Sequence, residues 1–226
     1  MKCNGRLHVC YNVLTAVDSK FHLIPEYHVT NDSFDYNQLS LRAVDTRNTL
    51  QSRNLSVTAD AGFWNLIKIK SCVDNGINPH VSERPYFNPR KSTGAPTPDI
   101  YENKFTYVKE RDIYICPSGN DLTFRWHPSH KTASGTAIRS DYTTHSCKTC
   151  EFRPKCTLGK KYGRTIVGWE HEEVLDEMRQ RLRTEKGMEI TQKRKELSER
   201  PFGTIKRDLD QGYLLLKGLR KVSGDI

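Results

Sequence analysis

The first third of the chain reads as short strands alternating with helices. Residues 7–17 (Leu-His-Val-Cys-Tyr-Asn-Val-Leu-Thr-Ala-Val) and 21–30 (Phe-His-Leu-Ile-Pro-Glu-Tyr-His-Val-Thr) are rich in β-branched and aromatic residues. Asp18-Ser19-Lys20 between them suits a short turn, so the pattern predicts an antiparallel hairpin. Pro25 belongs on an edge strand or at a bulge, because it brings no N–H to a ladder. Asn31-Asp32-Ser33 has capping character, and a helix is expected over residues 36–50 with a ragged apolar stripe of Leu39, Leu41, Val44 and Leu50. A strand over 55–59 is followed by the turn Asp60-Ala61-Gly62 and a helix over 63–74 that buries Leu66, Ile67, Ile69 and Val73. Asn75-Gly76 ends that helix, and a further strand begins near Pro79. This order predicts an α/β fold, a mixed sheet flanked by helices.

Periodicity then stops. Residues 82–98 carry Arg84-Pro85, Asn88-Pro89, Gly94 and Pro96, the signature of an exposed loop. Beyond them a β-rich, cysteine-containing insertion extends to about Cys156. The expected division is 1–81 for the first part of the core, 82–160 for the loop and insertion, and 161–226 for a helical return to the core. In that last part, residues 171–186 place Val174, Leu175, Met178 and Leu182 on one helix face, with Gly187 as the expected C-cap.

Composition narrows the partner. The 226 residues carry a formal net charge of +9, with a pI near 9.2 and a mean hydropathy of −0.72. That balance points to a polyanion, nucleic acid before membrane, with an ordinary basic surface as the equal alternative. No apolar run approaches the roughly 20 residues that span a bilayer, and the N-terminus lacks the apolar segment of a secretory signal. The expected location is the cytoplasm.

Four of the seven cysteines fall late in the chain. Cys147 and Cys150 form a Cys-x-x-Cys pair, in which a tight turn brings both sulfurs to one side. Cys116, followed by Pro117 and Gly119, and Cys156 are placed to complete a tetrahedral zinc site. Reduced thiols packed beneath a loop-rich segment are the alternative. His145 is a neighbour, and Cys3, Cys10 and Cys72 have no partner at useful spacing.

Two carboxylates stand out. Asp60 ends a strand, where α/β sheets commonly bind ligands, although an Asp in a Gly-containing turn is also simply a turn residue. Glu199 lies in Arg194-Lys195-Glu196-Leu197-Ser198-Glu199-Arg200-Pro201-Phe202-Gly203-Thr204-Ile205-Lys206-Arg207, a setting that suits a cation held beside a polyanionic backbone. Pro201 predicts a kink or a fresh helix start at that point.

In series, several stretches resemble a DDE-type insertion-sequence transposase of the group with a cysteine-rich insertion before its final Glu. They are the segment from Tyr11 to Lys20, Thr58-Ala59-Asp60-Ala61-Gly62-Phe63, the four cysteines, Trp169-Glu170-His171-Glu172-Glu173, the segment around Glu199, and Leu214-Leu215-Leu216-Lys217-Gly218-Leu219. The resemblance implies an RNase H-like mixed sheet flanked by helices, with a zinc-ribbon-like insertion. It also implies Mg²⁺ or Mn²⁺ held by an Asp, Asp, Glu triad that cleaves and joins DNA at transposon ends and target. Asp60 corresponds to the second acid and Glu199 to the third, while Arg194, Lys206 and Arg207 correspond to residues that contact DNA phosphates. Thr191 stands where the family often has a Tyr. The family's first Asp would fall upstream of Met1, and the end at Ile226 precedes a further family helix. The expectation is therefore a chain clipped at both ends and inactive alone, working near the bacterial nucleoid as a homo-oligomer or paired with an intact transposase. The rival is a non-catalytic DNA-binding protein or inhibitor derived from one.

Overall fold

The computed structural model describes residues 2–3, 6–7, 10–83, 96–127, 129–132, 135–158, 163–204 and 216–224. Its first elements are β1 (Lys2–Cys3), β2 (Arg6–Leu7), β3 (Asn12–Ala16), β4 (Glu26–Thr30), α1 (Leu39–Leu50), β5 (Leu55–Ala59), α2 (Leu66–Asp74) and β6 (Ile77–Val81). The middle of the chain gives β7 (Thr106–Val108), β8 (Ile113–Ile115), β9 (Asp121–Trp126), β10 (Ser129–Thr132), β11 (Gly135–Thr143), α3 (Arg153–Cys156) and β12 (Thr165–Trp169). Helices α4 (Glu172–Arg183), α5 (Glu185–Gly203) and α6 (Leu219–Val222) follow. Two compact units result, Met1–Glu83 with Glu173–Ile226, and Arg84–Glu172.

In the first unit the expected hairpin forms, β3 against β4 in antiparallel register from Asn12↔Thr30 to Ala16↔Glu26. Its turn is set by the Asp18 carboxylate, which accepts from the Lys20 N–H at 3.1 Å and the Phe21 N–H at 2.6 Å. Strands β5 and β6 run parallel, from Leu55↔Ile77 to Ala59↔Val81, with α2 as the crossover. Asn65 caps α2 by accepting from the Ile67 and Lys68 N–H groups, and Gly76 leaves it at φ 68°.

The expected α/β mixture of strands and flanking helices is present, and among the described strands of this unit it is built from two pairs. The two pairs are separate two-stranded sheets, and α1 packs against β3, β4, β5 and α2. The buried face of α1 differs from the sequence expectation. Leu39, Ala43 and Thr46 are buried, while Leu41 is 54% and Leu50 42% exposed. Leu41, two residues from Leu39, lies about 200° round the helix and so faces away.

The core of this unit joins Leu39 and Ala43 to Ile69, Cys72, Ile77 and Val81, with Leu175 and Met178 from α4. Complete burial of a side chain such as Ile69 contributes about 2 kcal/mol. Its surroundings push the Cys72 thiol up to about 12 by burial, so it behaves as a small apolar group.

Two helix expectations are corrected. Gly187 does not cap α4; it lies in the first turn of α5. Thr184 starts that helix, its hydroxyl accepting from the Gly187 N–H at 3.1 Å and donating to the Arg181 carbonyl at 2.7 Å. A Cβ on Gly187 would stand 2.1 Å from the Arg181 oxygen, so glycine is required by close approach. Pro201 starts no new helix, because α5 runs through it to Gly203. Near a C-terminus its missing N–H costs only one late backbone bond.

The second unit is built on a six-stranded antiparallel sheet in the order β10-β11-β9-β8-β7, with β12 also on β11. The first half of β11 pairs with β10, and its second half lies between β9 and β12. Leu122, Tyr142, Ile166, Ile100 and Phe105 form its core. Tyr107 and Tyr142 both donate to Asp112, at 2.8 and 2.7 Å. Those bonds hold the Asp112 carboxyl below its ordinary value, Tyr142 first and Tyr107 second. Gly168 lets this network close, since a Cβ there would meet Tyr142 at 3.2 Å and the Tyr114 hydroxyl at 3.3 Å.

Candidate functional site

Asp60 follows β5 in extended conformation and caps the 3₁₀ turn Ala61–Phe63. One carboxylate oxygen accepts from the Gly62 N–H at 2.7 Å. The capping role and a ligand role are compatible, because a carboxylate has about four lone-pair sites. The parallel pairing continues past it through the Ser82 N–H, which donates to the Ala59 carbonyl at 3.0 Å. Asp60 therefore stands at the carboxyl end of a parallel pair, the usual ligand edge of such a sheet.

A second carboxylate faces the same space. A Cβ built on Gly62 would lie 2.9 Å from Asp60 Oδ1 and 3.6 Å from Asp35 Oδ2. The bare side of Gly62 is thus a small cradle between two acids from different elements. Asp35 is positioned by the Asn12 amide at the start of β3, which donates to its Oδ1 at 2.5 Å. Oxygen donors of this kind suit a hard divalent cation. Sequence reading missed Asp35; its only signal was a place in the polar loop after β4, and its nearness to Asp60 depends on tertiary packing.

Helix α5 carries Glu199 and packs against β5 and β6. It thereby brings the helix of one candidate acid to the strand that ends at the other. Arg194, on the same helix, has its Nε enclosed without a hydrogen-bond partner among the described residues. Thr191 turns its hydroxyl back to the Gly187 carbonyl at 2.8 Å. Lys206 and Arg207 lie outside the described residues. Glu83, beyond the end of β6, is committed elsewhere: it accepts from Arg179 Nε at 2.8 Å, and Arg179 also binds Asp176 at 2.6 Å. His80 on β6 is buried, and desolvation first, then the charges of Arg181 and Lys186, pull its pKa down despite a bond to the Asn78 carbonyl.

The four cysteines come together in the second unit. Cys116, Cys147, Cys150 and Cys156 line one cavity of about 30 Å³. Cys116 enters a knuckle: its N–H donates to the Asn120 carbonyl at 3.0 Å, and the Gly119 N–H returns to the Cys116 carbonyl at 2.8 Å. Gly119 adopts φ 80°, which suits only glycine without strain. The Ser118 hydroxyl lies 3.0 Å from Cys116 Sγ and 3.7 Å from Cys150 Sγ. Burial alone would raise the Cys116 thiol, but hydrogen bonds from Ser118 and Asn120 outweigh it and hold it below its usual value. Burial raises Cys156 instead. Among the described residues no group of three or more His, Cys, Asp or Glu stands at closed ligating distance. The four thiols share a cavity without being drawn onto one point.

No helix of the described residues is long and apolar enough to cross a membrane. Neither a curated protein nor a solved structure matches the chain. A family model described as a transposase DDE domain matches residues 115–226, a span that includes the four cysteines, Arg194 and Glu199 but not Asp60. Over residues 115–226 the chain is similar to the transposase DDE domain family.

Proposed function

We propose that the chain binds DNA and holds a divalent cation, Mg²⁺ or Mn²⁺, between Asp60 and Glu199 on an RNase H-like core. The observation that carries this reading is the packing of α5, the helix of Glu199, on β5, the strand that ends at Asp60. Similarity to the DDE family over residues 115–226 supports the chemistry, which is phosphodiester cleavage and strand transfer. When bound, the cation would polarise a phosphodiester oxygen and favour an attacking hydroxyl. Asp60 would hold it with the oxygen left over from its cap. Arg194, Lys206 and Arg207 would meet the phosphates, as point charges or forks on a polyanion. The four cysteines are a second, zinc-binding centre that shapes the insertion. Acting on DNA, the chain would work at the nucleoid, as a homo-oligomer or beside a second transposase.

In this first reading Asp60 and Glu199 alone hold the cation, and two carboxylates do not support strand transfer by themselves. A second reading is favoured by the Gly62 cradle: Asp35 supplies the further carboxylate, and the chain cleaves DNA unaided. One assay separates them, incubation of the full chain with supercoiled plasmid and with oligonucleotides in Mg²⁺ or Mn²⁺. Retention of intact DNA with salt-sensitive binding supports the first reading. Cleavage abolished by both Asp60→Ala and Asp35→Asn supports the second. Cleavage that survives both substitutions, or failure to bind DNA at low salt, overturns the proposal. Binding indifferent to Glu199→Gln and to added Mg²⁺ would favour a non-catalytic DNA-binding protein or inhibitor.

A further inference from the structure

Asp60 is presented by a turn with few bonds of its own. The Gly62 N–H donates to its carboxylate at 2.7 Å. The Phe63 N–H donates to the Asp60 carbonyl at 3.2 Å, and the Trp64 N–H to the Ala61 carbonyl at 3.3 Å. A 3₁₀ turn this short has poorer bond geometry than an α-helix, and left to itself it opens readily.

One side chain from α4 reaches both sides of that turn. The Arg179 guanidinium lies over the Trp64 ring, its central carbon 5.6 Å from the ring centroid. Trp64 is the residue that closes the turn, and it packs against the core of the first unit. Arg179 Nε also donates to Glu83 at 2.8 Å. Glu83 follows Ser82, whose N–H holds the carbonyl of Ala59, the residue before Asp60, at 3.0 Å. The chain entering Asp60 and the chain leaving it are thus tied to one guanidinium. Its side chain is only 15% exposed, which strengthens the pair with Glu83 over one in open water. Asp176, one turn earlier on α4, accepts from it at 2.6 Å and is exposed; that pair orients the arginine more than it stabilises the fold. A flat guanidinium stacks on an indole and donates in its own plane at once, which an ammonium does not do.

We propose that Arg179 is the positioning residue of Asp60. It acts through Trp64 on one side and through Glu83, Ser82 and Ala59 on the other, and so sets where the second carboxylate oxygen points. The consequence for function rests on the reading of Asp60 as a cation-holding acid; the clamp on the turn does not.

The test follows the Gly62 amide of the full chain by NMR hydrogen exchange, because that N–H reports the Asp60 cap directly. Arg179→Gln should speed its exchange by about 10-fold or more, while the Ile69 and Cys72 amides in the core keep their rates. Arg179→Lys, which retains the charge without the flat fork, should recover only part of the loss. Glu83→Gln should loosen the same amide to a smaller extent, and it replaces Arg179→Gln if that variant does not fold. An unchanged Gly62 rate would overturn the proposal. Equal acceleration at Gly62, Ile69 and Cys72 would overturn it too, since that marks a residue which only stabilises the fold. Complete recovery in Arg179→Lys would refute the stacked geometry. The second readout is Mn²⁺ affinity by electron paramagnetic resonance, expected to weaken by about 10- to 100-fold in Arg179→Gln. Undiminished affinity beside a loosened Gly62 would refute the positioning role. If Asp60→Ala binds Mn²⁺ as the parent chain does, the cation reading fails, and the Gly62 rates alone decide whether Arg179 holds the carboxylate in place.

Discussion

The two units satisfy their backbones in different ways. In Arg84–Glu172, β11 has strand partners on both sides over its second half, and its side chains join a tyrosine–carboxylate network. In the other unit, each of β3, β4, β5 and β6 has one strand partner among the described strands, and the helices supply the remaining cohesion. The sheet-centred unit draws its rigidity from the ladder and the groups around β11. The helix-centred unit depends on how closely α1, α4 and α5 approach the strand pairs. A candidate acid site built on the second kind of frame is only as well placed as its helices.

That contrast can be broken at its most demanding contact. Gly187→Ala should destabilise the helix-centred unit by about 2–4 kcal/mol, since a methyl group has no room against the Arg181 carbonyl. Urea unfolding followed at Trp64, with Trp126 and Trp169 replaced by Phe, would measure it. An unchanged midpoint would mean that the two helices are not held in close contact. In the sheet-centred unit, Tyr142→Phe removes one of two hydroxyl bonds to Asp112. A loss of about 1–2 kcal/mol is expected, read at Trp126 and Trp169.

Acid should affect the helix-centred unit through His80. Its folded pKa lies below the ordinary 6.5, so the unfolded chain binds the proton more tightly. The stabilising contribution is fully present above about 6.5 and declines as the pH falls toward the lowered folded pKa. Melting temperatures measured from pH 8 to 5 should fall below pH 6.5, and His80→Gln should flatten that decline. An identical slope in the variant would assign it to other groups. The smallest effect is expected at Lys193, whose pair with Glu189 spans one turn of α5 at 2.6 Å in open solvent. Lys193→Ala should leave the melting temperature unchanged, because exposed pairs of this kind are screened.

Local order was easier to read than approach. The hairpin, the strand at Leu55–Ala59 and the end of α2 at Asn75-Gly76 followed from β-branched runs and turn residues that act within a few positions. The buried face of α1 did not, because small residues at Ala43 and Thr46 were chosen by the neighbouring helix rather than by their own hydrophobicity. Gly187 was misread for the same reason: its glycine answers to Arg181, not to a helix end. The fresh helix start expected at Pro201 does not occur, since proline near the last turn removes only a late backbone bond. Among candidate site residues, Asp60 and the four cysteines carried local signals. Asp35 and Arg179 did not, because each gains significance only from a partner distant in sequence.

The hydrogen bond from Asn12 to Asp35 makes β3 a gauge for the candidate acid site. Asn12 opens the strand, and its amide reaches Asp35 only in the pairing that sets it opposite Thr30. A slip of one residue would turn Asn12 to the other face of the hairpin and release Asp35 from its tether. The distance between two carboxylates is thereby tied to strand register, so a partner that grips or shifts the hairpin would retune the site without touching either acid.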